Sequence, residues 1–268
     1  MQLDFSHATL GRLPNRVLRL GMSASYRPGE TAVRRAIDLG VGCFFLYGFD
    51  SQMVRALRDL PSSGRERLVI ATGAYNLIWT RQNFRRTLEK RLRQLRTDYL
   101  DVFLYLGVMK PGDLDERALD ELSSIRQDPR VRAVGMSCHD RRFAAEMSRR
   151  GALDTLMIRY NAAHRGAETE IFPSIDGQRT GVISYTATRW TALLRKSPNW
   201  AGPVPDAGLC YRFALSHPSV DVCLTAPRSE RELEDNVRAL ERGPLNEDEL
   251  RFMREFGDAV HARQKWFM

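Results

Sequence analysis

The stretch "LRQLRTDYLDVFLYLGV" (Leu92–Val108) changes its periodicity partway along. Up to Arg96 the apolar residues Phe84, Leu88, Leu92 and Leu95 recur at helical spacing, with arginines between them. From Tyr99 to Leu106 the chain is almost continuously hydrophobic, broken only by Asp101. A run of that kind fits a strand buried on both faces. An amphipathic helix that delivers such a strand is the repeating unit of an α/β fold.

The same alternation recurs along the chain. Strand-like runs are "RVLRLGMS" (16–23), "VGCFFLY" (41–47), "RLVIAT" (67–72), "YLDVFLYL" (99–106), "VRAVGMS" (131–137), "LDTLMIRY" (153–160), "TGVISYTA" (180–187) and "VDVCLTA" (220–226). Helical stretches separate them. "GETAVRRAIDLG" aligns Ala32, Ala36 and Leu39 on one face and stops at Gly40, a helix C-terminal glycine. "TRQNFRRTLEKRLRQLR" (80–96) is the helix of the opening stretch. "SERELEDNVRAL" begins with Ser229 as N-cap and offers Glu232 for a capping box. Eight such units predict a single closed (β/α)8 TIM barrel, one domain over residues 1–268, since no linker-like composition divides the chain. The tail "NEDELRFMREFGDAVHARQKWF" (246–267) predicts an extra C-terminal helix outside the barrel. "KSPNWAGPVP" (196–205) is expected as a loop at the mouth.

Composition narrows the function classes. With 268 residues, 43% of them hydrophobic, the chain can fill one large core. No run approaches the roughly 20 apolar residues of a membrane span, and "MQLDFSHATLGRLPNRV" lacks the pattern of a signal peptide. Cys43, Cys138, Cys210 and Cys223 are scattered without a CxxC, which argues against zinc or an iron–sulfur cluster and fits a reducing cytoplasm. The net charge of +8 is dispersed over helix faces, so an anionic small-molecule ligand is expected rather than nucleic acid or membrane. There is no G-x-S-x-G and no His/Asp/Glu cluster with metal-ligand spacing.

A TIM barrel carries its active site at the C-terminal ends of its strands. The positions to examine are therefore Ser23, Tyr47, Gly73, Leu106, Ser137 to His139, Tyr160, Asn161, Tyr185 and the turn Thr225 to Ser229.

These segments, in this order, resemble the aldo-keto reductase superfamily over nearly the whole chain. "LRLGMS", "AIDLGVGCFF", "LRQLRTDYLDVFL", "VRAVGMSCHD", "YNAAHRGAE" and "LSHPSVDVCLTAPRSERELEDN" carry the resemblance, the last most specifically. The resemblance implies carbonyl reduction with NADPH by an Asp–Tyr–Lys–His tetrad, in which the tyrosine gives the proton and the lysine–aspartate pair lowers its pKa. Here Phe45 stands at the aspartate position, Gly73 at the lysine and Leu106 at the histidine. Tyr47, in Tyr47-Gly48, matches the tyrosine–glycine pair, but the segment before it is about three residues shorter than is usual in the family. Tyr47 is thus either a proton donor or a packing aromatic.

The cofactor side of the resemblance is better kept. Ser137 matches the residue that holds the nicotinamide carboxamide, and Tyr185 the aromatic that stacks on the ring. Arg228 and Ser229 match contacts to the 2′-phosphate, and Asp235 and Asn236 contacts to adenine. Cys138 and Met157 depart from the family's asparagine and glutamine. Two polar clusters stand outside this pattern. In "SCHDRR", His139 is either a substitute donor or a helix-start residue, with Asp140 as N-cap. In "RYNAAHRGAE", Arg165 is either an anion ligand or half of a local salt bridge with Glu168. The expected function is a divergent NADP(H)-linked oxidoreductase with a non-standard catalytic centre. The alternative is a catalytically silent barrel that binds a nucleotide, an anionic metabolite or a protein partner.

Overall fold

Doubly buried strands need cover on both faces, and the fold supplies it by closing the sheet on itself. A computed structural model describes residues 4–48, 50–76, 81–175 and 180–263. Two short strands, β1 (His7–Thr9) and β2 (Arg16–Leu18), form an antiparallel hairpin. Eight strands then close a barrel: β3 (Leu20–Ser23), β4 (Cys43–Leu46), β5 (Val69–Tyr75), β6 (Leu100–Val108), β7 (Val131–Cys138), β8 (Thr155–Arg159), β9 (Gly181–Tyr185) and β10 (Val222–Thr225). Every neighbouring pair is parallel, and β10 joins β9 to β3. This is a (β/α)8 TIM barrel.

The run "RVLRLGMS" is not one strand, as its hydrophobicity suggests. It divides at Arg19 into β2 and β3. The buried Arg19 guanidinium donates to the carbonyls of Phe5, Leu215, Val220 and Asp221, and so fixes the corner between hairpin and barrel. The hairpin closes the N-terminal end: Leu10, Leu13 and Val17 join Cys43, Val69, Val102 and Val222 in the interior cluster. Asp221 accepts from the backbone N–H groups of Gly11 and Val182, which ties that plug to β9.

The helices form the outer layer. The helix Phe84–Leu95 buries Phe84, Leu88, Leu92 and Leu95, as the opening stretch predicts, with Asn83 as its N-cap. Thr80, which opens that stretch, lies outside the described residues. Gly40 follows the helix Glu30–Asp38 with φ +86°, the left-handed backbone that favours glycine. The extra C-terminal helix spans Glu247–Arg263 and buries Met253, Phe256 and Val260; residues 264–267 of the expected segment lie outside the described residues. Among the described residues, no helix is long and apolar enough to cross a membrane.

Asp101, the one polar residue in the buried run of β6, is fully buried. It pairs with Arg65 (2.8 Å) and Arg132 (2.9 Å) and accepts from the Ile70 N–H (2.9 Å). The Tyr99 ring lies between the same two guanidinium groups, 4.2 and 4.0 Å from its centroid.

Candidate functional site

The strands present alternate residues to the barrel interior. Cys43 and Phe45, Val69 and Ala71, Leu104 and Leu106, Met157, Ile183 and Leu224 pack there together. Above them, at the C-terminal ends of the strands, opens a pocket of about 370 Å³. Phe45, Leu106, Met157 and Leu224 form its apolar floor, and Tyr47, Tyr75, Tyr185 and Tyr211 its aromatic wall. The polar lining is sparse: Ser23, Ser25, Ser137, His139 and the threonines of the loop after β9.

Phe45, Leu106 and Gly73 test the tetrad reading. Phe45 and Leu106 face the pocket with no polar atom to offer. Gly73 is inward in register with Ala71 and Tyr75, but its strand presses on β6. A Cβ at Gly73 would stand 1.7 Å from the Leu104 carbonyl oxygen, so no side chain fits there. β5 runs on past its expected end at Thr72 and places Tyr75 in the wall instead. Burial holds the Tyr75 phenol well above its ordinary pKa, and neighbouring Tyr47 and Asp50 push it the same way against Arg91. The Asp50–Arg91 pair is itself buried, 3.3 Å apart.

Tyr47 and His139 both line the pocket. The Tyr47 ring stacks on Phe45, with centroids 6.0 Å apart. His139 follows β7, and its N–H donates to the Val108 carbonyl. Burial, and then the charge of Arg159, lower its pKa, which favours the neutral imidazole. Its ring meets Tyr185 edge-on at 6.4 Å. Asp140 is the N-cap of the helix Arg141–Arg149, accepting from the Phe143 N–H at 2.9 Å. The helix start therefore belongs to Asp140, and the His139 ring is left at the pocket.

Ser137 and Tyr185 also line the pocket, on β7 and β9 with β8 between them. Burial raises the Tyr185 pKa, partly opposed by Arg159 and the adjacent Ser137 hydroxyl. Among the described residues, the Tyr185 hydroxyl and His139 Nδ1 are buried with no hydrogen-bond partner at normal geometry. Buried polar atoms of that kind are uncommon and point to a missing partner. Cys138 faces the outer layer, where its Sγ donates to the Asp140 carbonyl.

The turn after β10 and the helix that follows it hold the other four expected cofactor residues. Arg228 is exposed, makes no ion pair among the described residues and lies over the Tyr26 ring at 5.0 Å. Ser229 caps the helix Glu230–Ala239 by accepting from the Glu232 N–H. The expected capping box is shifted by one residue: the Glu232 carboxylate accepts from the Arg228 N–H, not from that of Ser229. Asp235 pairs with Arg231 and Arg238. Asn236 is buried and donates to Thr225 Oγ1, which donates to the Tyr211 hydroxyl in the pocket wall.

Two expectations are corrected. The segment 196–205 does not line the mouth: Trp200 packs on Phe256 and Ser197 donates to the Ala259 carbonyl, both on the C-terminal helix. The loop after β9, with Thr186, Ala187, Thr188 and Trp190, takes its place. The side chains of Arg165 and Glu168 do not pair with each other. Arg165 holds Asp258, and Glu168 holds Arg254 and the Tyr160 hydroxyl, so both pin the C-terminal helix. Among the described residues, no group of three His, Cys, Asp or Glu side chains could hold a metal ion. The four cysteines are buried thiols.

No family model matches the chain, and no curated protein matches it by sequence. Solved structures do match. The holo form of the aldo-keto reductase AKR11C1 from Bacillus halodurans superposes with a TM-score of 0.77 at 19% identity, covering 95% of this chain and 97% of that one. Its apo form gives 0.74 at 20%, with coverage of 95% and 96%. An aldo/keto reductase from Klebsiella pneumoniae, in complex with NADP and acetate, gives 0.76 at 19%, with coverage of 94% and 95%. The chain shares the fold of these reductases.

Proposed function

We propose that this barrel is a divergent NADP(H)-linked oxidoreductase that acts on a carbonyl substrate at its C-terminal mouth. One observation carries the reading: Ser137, His139 and Tyr185 converge on the pocket, and two of their polar atoms are buried with no hydrogen-bond partner among the described residues. That arrangement suits a flat ring with a carboxamide. The Tyr185 ring gives the face, and the Ser137 hydroxyl and His139 imidazole give hydrogen bonds. Arg228 and Ser229 would meet the 2′-phosphate, with the helix start at Glu230 adding its partial positive charge. Asp235 and Asn236 border the adenine end. The Klebsiella reductase of the same fold is in complex with NADP, which supports the cofactor class.

When bound, NADPH supplies a hydride. The protein's part is to place the carbonyl and to give its oxygen a proton. His139, whose neutral form burial favours, offers an N–H that orients the oxygen. The Tyr47 hydroxyl is the proton source on the opposite wall. With Phe45, Gly73 and Leu106 in the tetrad positions, those places hold no cation to ease that transfer. Loss of one such stabilising group commonly costs about 10²–10³ in rate, so slow turnover is expected. The test is NADPH oxidation across a broad aldehyde and ketone panel, with Tyr47→Phe and His139→Ala as controls. Turnover abolished by either substitution supports the reading; turnover indifferent to both refutes the assigned roles.

The close contact at Gly73 favours a second reading, a barrel that binds the dinucleotide without reacting. NADPH binding with no turnover on the whole panel would establish it.

A further inference from the structure

Three elements meet at one wall of the pocket, and a chain of hydrogen bonds runs through them. Tyr211 stands on the helix Ala207–Ser216 and lines the pocket with Leu224 and Ala226. Thr225 ends β10 and is fully buried. Asn236 stands on the helix Glu230–Ala239 and is 7% exposed. Asn236 Nδ2 donates to Thr225 Oγ1 at 3.1 Å, and Thr225 Oγ1 donates to the Tyr211 hydroxyl oxygen at 2.9 Å. An amide nitrogen only donates and a threonine hydroxyl has one proton, so the chain runs one way, from Asn236 to Tyr211. The two helices also pack closely: a Cβ on Gly208 would stand 2.6 Å from the Cβ of Ala239. Burial raises the Tyr211 phenol above its ordinary pKa, against the Thr225 hydrogen bond, so Tyr211 is neutral at pH 7 and gives the pocket a fixed surface, not a proton. An asparagine that reads adenine needs its amide free for the ligand. Here the side chain is buried and Thr225 takes its nitrogen.

We propose that Asn236 is a positioning residue for the pocket: it acts through Thr225 to hold Tyr211 in the wall, rather than by touching adenine. The occupant of the pocket rests on the NADP(H) reading; the chain itself does not. A ring tied at its hydroxyl keeps one orientation, so the wall is already formed when a ligand arrives and less ordering is left to oppose binding. The benefit falls on the part of the dinucleotide inside the pocket. The adenosine end, at Arg228 and Ser229, is outside its reach.

Calorimetric titration with two ligands separates the roles. NADPH reaches into the pocket, whereas adenosine 2′,5′-bisphosphate carries the adenine and the 2′-phosphate without a nicotinamide. Asn236→Ala should weaken NADPH about fivefold, the worth of one neutral hydrogen bond, and leave the bisphosphate within about twofold of wild type. Thr225→Val, which keeps the shape and removes the hydroxyl, should match that loss, and Thr225→Ser should restore binding. Adding Asn236→Ala to Thr225→Val should cost little more, because both break one chain. Equal losses for NADPH and the bisphosphate in Asn236→Ala would make Asn236 an adenine contact and overturn the proposal. Unchanged NADPH affinity in Thr225→Val would overturn it too. If the wild-type protein does not bind NADPH, the cofactor reading falls, and the ligand-free protein decides the positioning separately. In NMR spectra of tyrosine-labelled protein, the Tyr211 ring signal, identified by its loss in Tyr211→Phe, should move in both Asn236→Ala and Thr225→Val. A signal that Asn236→Ala leaves in place would overturn the positioning role.

Discussion

Gly73 on β5 and Leu104 on β6 approach so closely that a Cβ on Gly73 would lie 1.7 Å from the Leu104 carbonyl oxygen. The lysine that the resemblance implies at position 73 has no room here. The strands have closed over the space it would need. Gly73→Lys should therefore fail to restore a standard centre. It should lower stability in urea denaturation by about 3 kcal/mol, the upper part of the usual overpacking range, with no gain in reductase rate. A folded, faster variant would show that the strands can part.

Asp101 should be the most sensitive single position of the scaffold. It is fully buried, and its removal would leave Arg65, itself buried, without that carboxylate. Breaking such a pair costs about 3–5 kcal/mol. Asp101→Ala should show this in denaturant unfolding. A loss below about 1 kcal/mol would mean that Arg65 finds other partners.

His164 sets a pH dependence. Its folded pKa is about 4 against an ordinary 6.5, so the unfolded chain binds the proton first. Its contribution to stability is complete above about pH 6.5 and is lost as pH falls toward 4. His164→Gln keeps an acceptor for Arg141 and cannot be protonated. Its stability should fall less steeply than that of wild type between pH 6.5 and 4. Parallel stability–pH curves would count against a neutral His164. Asp221 works with the opposite sign. Burial raises its carboxyl to about 6, so its contribution is present below pH 3.8 and lost as pH rises through 6.

Arg228→Ala should weaken NADPH by about tenfold and leave NADH nearly unchanged, because only NADPH carries the 2′-phosphate that a guanidinium grips. Equal losses for both dinucleotides would remove Arg228 from the phosphate site.

Much of the architecture could be read from periodicity. Phe84, Leu88, Leu92 and Leu95 alternate with arginines because one helix face meets the barrel and the other meets water, and continuous runs such as Tyr99–Leu106 are strands covered twice. The split at Arg19 escaped because a buried arginine that satisfies carbonyls looks, in sequence, like one more residue of a strand. Tyr75 escaped as a pocket residue for a different reason: β5 continues beyond its hydrophobic run. Phe45 and Leu106 could be placed from strand ends alone, whereas the closeness of Gly73 to Leu104 depends on strand packing that no local pattern encodes.

We propose that the mouth around Ser137, His139 and Tyr185 holds NADP(H). Titrating NADPH into the purified protein and following nicotinamide fluorescence tests it most directly. Saturable one-to-one binding, severely weakened by Tyr185→Ala, is expected. No binding at high micromolar NADPH, or binding that Tyr185→Ala leaves untouched, would contradict it.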